Sequence, residues 1–107
     1  MTDSIGRIRE LLPHEELLCQ LAEEAAELGQ AALKLRRVYD GTNPTPKGWK
    51  EAHSNLVEEI SDVYLCLVAL RTLEPETIVQ ITETAERKAN RWLGRLEGRG
   101  VKEHGEK

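Results

Sequence analysis

Two pairs of carboxylates stand at a spacing that could let them act together. Glu24 and Glu27 form the first pair, and Glu59 and Asp62 form the second. Residues three apart lie on the same side of a helix, so each pair presents two carboxylates side by side. Single pairs of this kind are common on helix surfaces, whereas two of them raise the prospect of a shared cation site.

Both pairs intrude on apolar stripes. Around a helix, Glu24 lies within about 20° of Leu17 and Leu28, and Glu59 lines up with Cys66. A charged side chain on a face that should be buried is costly unless a partner compensates it. The first carboxylate of each pair is therefore expected at the seam between packed helices.

The two pairs are also in matched register. In an antiparallel helical hairpin centred on Asn43, Glu24 lies level with Asp62 and Glu27 level with Glu59. Four carboxylates that meet in an apolar seam would raise one another's pKa values by desolvation and repulsion. A bound Mg²⁺ ion, for which Mn²⁺ could substitute, removes that cost because it prefers oxygen ligands. The alternative is that these carboxylates pair with Lys or Arg between helices or face solvent.

The glycines and prolines divide the chain into helices, and no alternation typical of strands is present. We expect an all-α fold, a bundle of about four helices with a central antiparallel hairpin. The expected helices run from Asp3 or Ser4 to Leu12, from Pro13 to Tyr39, from the loop at 40–48 to Thr72, and from Glu74 to Gly98. The third helix begins either at Thr45-Pro46 or, with a capping box, at Asn55. Residues 1–98 are expected to form one domain, and 99–107 a flexible tail.

Composition excludes several classes. A net charge of −4 argues against a nucleic-acid binder, which needs cations for the phosphates. No apolar run approaches the ~20 residues of a membrane span, and no secretory signal is visible at the start. Cys19 and Cys66 stand in apolar segments and fit reduced thiols in a cytoplasmic protein. None of the three histidines has ligand spacing, which argues against zinc.

The third helix is apolar on almost every side between Leu56 and Leu70. Such a helix must be covered all round, and a chain of 107 residues offers few neighbours to do so. We therefore expect a homodimer, homotetramer or larger assembly with this helix near the interface. A compact monomer that wraps the helix by itself is the alternative.

These motifs resemble those of the all-α nucleoside triphosphate pyrophosphohydrolase superfamily, and the MazG-like branch most closely. The matching stretches are residues 21–28, LAEEAAEL, and residues 56–64, LVEEISDVY. Within the matching region, 17–92, they carry the family's ExxE and ExxD motifs. The resemblance implies Mg²⁺-dependent hydrolysis of a nucleoside triphosphate between the α and β phosphates, giving a monophosphate and pyrophosphate. It makes Glu24, Glu27, Glu59 and Asp62 the metal ligands.

Other residues are candidates for substrate binding or proton transfer. Glu23 precedes the first ligand and could orient or deprotonate the attacking water, or could face solvent. The resemblance places phosphate contacts on the last helix, where Lys88, Asn90 and Arg91 are the candidates. Glu86 occupies the place of the family's usual lysine, and a solvated helix face is the alternative reading of this stretch.

The loop offers two further candidates. Lys47 could reach a phosphate and Trp49 could stack on a nucleobase, or Trp49 could simply pack the loop onto the bundle.

Two other functions remain open at the level of the sequence. One is phosphoribosyl-ATP pyrophosphohydrolase, a sister activity with similar motifs. The longer loop with Asn43-Pro44-Thr45-Pro46 and Trp49 favours the MazG-like reading over it. The other is a helical oligomerisation module with an acidic surface cluster and no enzymatic activity.

Overall fold

The protein is all-α. The computed structural model describes residues 2–41 and 48–102, with side chains for 3–41 and 48–98, and these residues form four helices and no strand. The helices are α1 (Thr2–Leu11), α2 (His14–Asp40), α3 (Trp49–Ala69) and α4 (Pro75–Lys102). The predicted fold class and number of helices are confirmed. None of these helices combines the length and the apolar character that crossing a membrane requires.

The chain divides into two compact units, Met1–Thr72 and Leu73–Lys107. The single domain expected over 1–98 stays a prediction. The buried apolar side chains of the described residues all precede the boundary, namely Ile5, Leu17, Ala31, Ala52, Cys66, Ala69 and Leu70.

Helices α2 and α3 pack against each other as an antiparallel hairpin. Leu17 near the start of α2 packs with Ala69 and Leu70 at the end of α3, and Ile8 and Leu21 pack around them. This pairing has the register expected from the sequence, the one that sets residue 24 level with residue 62. The predicted hairpin is thereby confirmed, although its centre at Asn43 and the Thr45-Pro46 cap lie outside the described residues.

Helix α3 begins at Trp49, six residues before the capping-box start at Asn55, so that alternative is wrong. Two interactions stabilise the additional turns. Ala52 is buried, and the Trp49 indole Nε1 donates a hydrogen bond of 2.7 Å to the hydroxyl of Tyr39 at the end of α2. Helix α2 begins at His14, one residue after the predicted start, because Pro13 is its N-cap residue and not part of its first turn.

The other end of α3 is closed by a Schellman motif. Arg71 adopts a left-handed conformation with φ of 64°, its amide donates to the Val68 carbonyl, and the Thr72 amide donates to the Leu67 carbonyl. The helix therefore ends at Ala69, a few residues before the predicted end near Thr72.

Arg9 of α1 completes this end of α3. Its guanidinium donates to the Val68 carbonyl at 2.7 Å and to the Ala69 carbonyl at 3.0 Å. The Ala69 carbonyl is one of the last carbonyls of the helix and has no amide of the same helix to accept from, and the Val68 carbonyl accepts from Arg9 in addition to the Arg71 amide. A cation at a helix C-terminus is also favoured by the helix dipole. Arg9 therefore joins α1 to the hairpin by a contact that the sequence did not indicate.

Helix α4 begins with Pro75 in its first turn, as predicted, but continues to Lys102. The flexible tail expected from residue 99 is therefore helical over its first four residues. Helix α4 carries a row of exposed large apolar side chains, namely Ile78, Ile81, Trp92 and Leu96.

Candidate metal centre

The buried face of α2 contains Glu24. Along this face Leu17 and Ala31 are buried, and Leu21, Leu28 and Leu35 are half-buried. Glu24 is half-buried in the same row, at a position where the periodicity calls for an apolar side chain. The expectation that this carboxylate intrudes on the packed face is confirmed.

Glu59 has the equivalent place on α3. Ala52 and Cys66 are buried on one face of that helix, followed by its buried C-cap Leu70, and Glu59 is half-buried between Ala52 and Cys66. The register of the hairpin sets this face opposite the buried face of α2, so Glu59 and Glu24 approach each other across the seam.

Three carboxylates converge at this point, and we call Glu24, Glu27 and Glu59 the carboxylate cluster. Each offers one oxygen, and the three oxygens lie within 4.8 Å of one another. Two come from α2 and one from α3, so the cluster depends on the packing of the hairpin. Carboxylate oxygens grouped in this way could hold a metal ion.

Two oxygens of the cluster lack any hydrogen-bond partner although they are shielded from solvent. These are Oε1 of Glu24 and Oε1 of Glu59. The other oxygen of Glu24, Oε2, accepts a hydrogen bond of 2.8 Å from the Gln20 amide. Among the described residues, no Lys or Arg forms an ion pair with a carboxylate of the cluster, so the ion-paired alternative raised by the sequence is not seen there.

The electrostatics of the site follow from this crowding. Desolvation raises the pKa of Glu59, and the charges of Glu27, Asp62 and Glu24 raise it further, as does a hydrogen bond with the Glu27 carboxyl. Burial raises the pKa of the Cys66 thiol, with smaller contributions from Glu24 and Asp62. The site therefore lacks positive charge, and a divalent cation would lower the free energy of the ionised carboxylates.

Asp62 and Glu23 lie at the margin of the site. Asp62 is exposed and is not part of the group within 4.8 Å, but its charge acts on both Glu59 and Cys66. Glu23 is exposed on α2, about 100° around the helix from Glu24. The structure thus brings together three of the four predicted ligands and leaves Asp62 close enough to act electrostatically.

The candidate substrate-binding residues are dispersed along the chain. Lys88, Asn90 and Arg91 are exposed on α4, in the second unit. Lys47 lies outside the described residues. Trp49 is 45% exposed, and its indole nitrogen donates a hydrogen bond to Tyr39, so the tryptophan links the start of α3 to the end of α2. Residues 42–47 of the loop lie outside the described residues, and both interpretations of Trp49 stay predictions.

Sequence reasoning missed three neighbours of these residues. The ring of His53, an exposed residue, stacks on Trp49 with centroids 4.6 Å apart, a contact that the sequence analysis did not consider. Tyr39 and Gln20 were not considered. The spacing of four residues from Gln20 to Glu24 and from Trp49 to His53 was the available signal, because such residues are neighbours on a helix.

Comparison with known proteins adds nothing to this geometry. No protein-family model, no curated protein and no solved structure matches the chain.

Proposed function

We propose that this protein is a Mg²⁺-dependent nucleoside triphosphate pyrophosphohydrolase of the MazG-like kind, which converts a ribo- or deoxyribonucleoside triphosphate to the monophosphate and pyrophosphate. The observation that carries the proposal is the carboxylate cluster. It joins the two predicted acidic motifs across one helical seam, and it contains two shielded oxygens without partners. Its all-oxygen donor set fits Mg²⁺ or Mn²⁺.

The proposed roles follow from position. Glu24, Glu27 and Glu59 hold the cation, and Asp62 adds charge or a ligand from the next turn of α3. The bound cation supplies charge neutralisation at the phosphates and activation of water. Glu23 orients the attacking water or accepts its proton. Lys88, Asn90, Arg91 and Lys47 are the proposed phosphate contacts, and Trp49 is the proposed contact for the base.

The proposal includes self-association. Val57, Ile60 and Tyr64 form an exposed apolar row on α3, and each is close to half exposed. This row lies about 100–160° around the helix from Glu59, so a second copy could cover it without closing the carboxylate cluster. Contiguous exposed apolar surface of this kind is typical of interfaces. A homodimer or homotetramer in the cytoplasm, where Cys19 and Cys66 remain free thiols, fits these features.

The test is an assay of reaction products. The purified protein is incubated with Mg²⁺ and a panel of ribo- and deoxyribonucleoside triphosphates, and pyrophosphate and orthophosphate are measured separately. We expect pyrophosphate in equal amount to the monophosphate, and no release without a divalent cation. Orthophosphate alone would mean cleavage at the γ-phosphate and would contradict the proposed reaction.

Two other outcomes would replace the proposal. Hydrolysis of phosphoribosyl-ATP with no turnover of simple triphosphates would assign the sister activity. The absence of both turnover and any effect of Mg²⁺ on the melting temperature would favour a non-enzymatic oligomerisation module, because a ligand that binds only the folded state must stabilise it.

A further inference from the structure

We propose that Gln20 is a positioning residue of the carboxylate cluster, whose amide holds the Glu24 carboxylate so that Oε1 faces the cation. This inference rests on the proposed function, because it assigns to Gln20 a role in the same site. Gln20 belongs to neither acidic motif and was not among the residues predicted to act there.

The two carboxylate oxygens of Glu24 have different environments. Oε2 accepts the 2.8 Å hydrogen bond from Gln20 Nε2, while Oε1 is shielded from solvent and has no partner. A carboxylate bound at one oxygen loses rotational freedom, so its other oxygen is presented in a defined direction. Because Oε2 is engaged by Gln20, Oε1 is the oxygen of Glu24 that remains free for a cation shared with Glu27 and Glu59.

The neutrality of Gln20 supports this role. A lysine or arginine one turn before Glu24 would also bind the carboxylate, but its charge would compete with the metal ion. The amide restrains the carboxylate and leaves its negative charge to attract the cation. A hydrogen-bonded pair that served only the helix surface would contribute little to stability and would have no effect on metal affinity.

The geometry of α2 favours the hydrogen bond between Gln20 and Glu24. Side chains of a helix lean toward its N-terminus, so Glu24 extends over the turn that contains Gln20. The exposed position of Gln20 lets its amide approach Oε2 from the solvent side, while Oε1 remains on the packed side. The arrangement matches the hydrogen bonds that orient ligating carboxylates in other metal sites.

The test measures Mn²⁺ binding by the full chain, with free Mn²⁺ followed by electron paramagnetic resonance. Gln20→Met keeps the length of the side chain and removes the donor, and we expect the Kd for Mn²⁺ to rise about ten- to hundredfold. Gln20→Lys should weaken binding at least as much. The melting temperature of the metal-free Gln20→Met protein should remain within a few degrees of the unsubstituted protein.

The matched control is Gln80→Met, which makes the same change at an exposed position of α4 and should leave the Kd within about twofold. If the unsubstituted protein binds Mn²⁺ and Gln20→Met binds it equally well, the role of Gln20 is refuted while the proposed function stands. If the unsubstituted protein binds no Mn²⁺ at millimolar concentration, both fail together.

Discussion

At the scale of single residues, the carboxylate cluster combines mutual repulsion with two oxygens that are shielded from solvent, one of Glu24 and one of Glu59, while Glu27 is exposed. The pKa of Glu59 is raised by its desolvation and by the charges of Glu27, Asp62 and Glu24. Such an arrangement destabilises the metal-free protein relative to a chain without these charges, and it is tolerated where a bound cation reverses the sign of the interaction. Function and stability should therefore respond in opposite directions when one carboxylate is neutralised.

The substitution Glu59→Gln tests whether stability rises while activity falls. Removing the charge should raise the melting temperature of the metal-free protein, because repulsion and desolvation are both relieved. It should lower pyrophosphate release by about a hundredfold or more, since loss of a metal interaction worth several kcal/mol costs tenfold per 1.4 kcal/mol. Thermal unfolding and the product assay give the two readings.

The control is Glu58→Gln, the same change at the exposed neighbouring residue, which should alter neither reading appreciably. A Glu59→Gln protein that is less stable without metal than the unsubstituted protein would show that the repulsion inferred from the structure is absent.

The raised pKa of Glu59 also predicts a pH dependence of stability. A carboxyl whose pKa is higher in the folded chain than its ordinary 4.5 favours folding while it is protonated. That contribution is complete below pH 4.5 and is lost as the pH rises through the folded-state pKa. The metal-free protein should therefore lose this part of its stability on going from acidic toward neutral pH.

Urea unfolding at a series of pH values, without divalent cations, measures the effect. Other groups titrate as well, so the informative quantity is the difference between the unsubstituted protein and Glu59→Gln. The free-energy advantage of Glu59→Gln should grow with pH above 4.5 and then level off. An advantage that shrinks over this range would reverse the predicted sign.

At the scale of elements, the end of α3 is held by a contact from a distant part of the chain. Arg9 donates to two carbonyls of the last turn. Arg9→Met retains most of the apolar stem and removes both donors, and we expect a loss of about 1–3 kcal/mol in the free energy of unfolding. Chemical denaturation in urea provides the measurement.

Arg7→Met is the matched comparison, because Arg7 pairs with Glu10 on the exposed surface of the same helix. Exposed pairs of this kind contribute less than about 1 kcal/mol. Equal losses for the two variants would mean that the Arg9 contacts contribute nothing beyond an exposed ion pair.

Much of the hairpin could be predicted from local sequence. Helical periodicity is a local property, so the sequence predicted correctly which side chains share the packed face of each helix. These are Leu17, Glu24 and Ala31 on α2, and Glu59 and Cys66 on α3. The register followed from the sequence positions of the two pairs, because a hairpin centred on Asn43 sets Glu24 level with Asp62 and Glu27 level with Glu59.

Other features depended on contacts that no local pattern reports. The start of α3 at Trp49 reflects a hydrogen bond from its indole to Tyr39 in the preceding helix. The capping-box prediction at Asn55 used only neighbouring residues and therefore could not include this contact. The Arg9 contact spans 59 and 60 residues. The extent of α4 beyond Gly98 was underestimated because glycine and polar residues lower helix propensity without forbidding a helix.

At the scale of the whole molecule, the main unfavourable feature of the isolated chain is the number of large apolar side chains exposed to solvent. Ile60 is 48% exposed on α3, within the row that also contains Val57 and Tyr64. Ile60→Lys should shift the protein from a dimer or larger assembly to the monomer at micromolar concentration, because it places a charge within the proposed interface. Sedimentation equilibrium measures the mass directly.

Gln30→Lys adds the same charge at an exposed position of α2, away from this row, and it should leave the assembly intact. A monomeric unsubstituted protein would refute the proposed association, and an assembly that survives Ile60→Lys would place the interface elsewhere.

The most direct test of the account is the position of a bound cation. We would grow crystals with Mn²⁺ and locate the ion by anomalous diffraction. The account predicts a peak at the seam of α2 and α3, with oxygens of Glu24, Glu27 and Glu59 all as ligands at about 2.1 Å. A peak bound by the carboxylates of one helix alone, or no peak at this seam under saturating Mn²⁺, would contradict it.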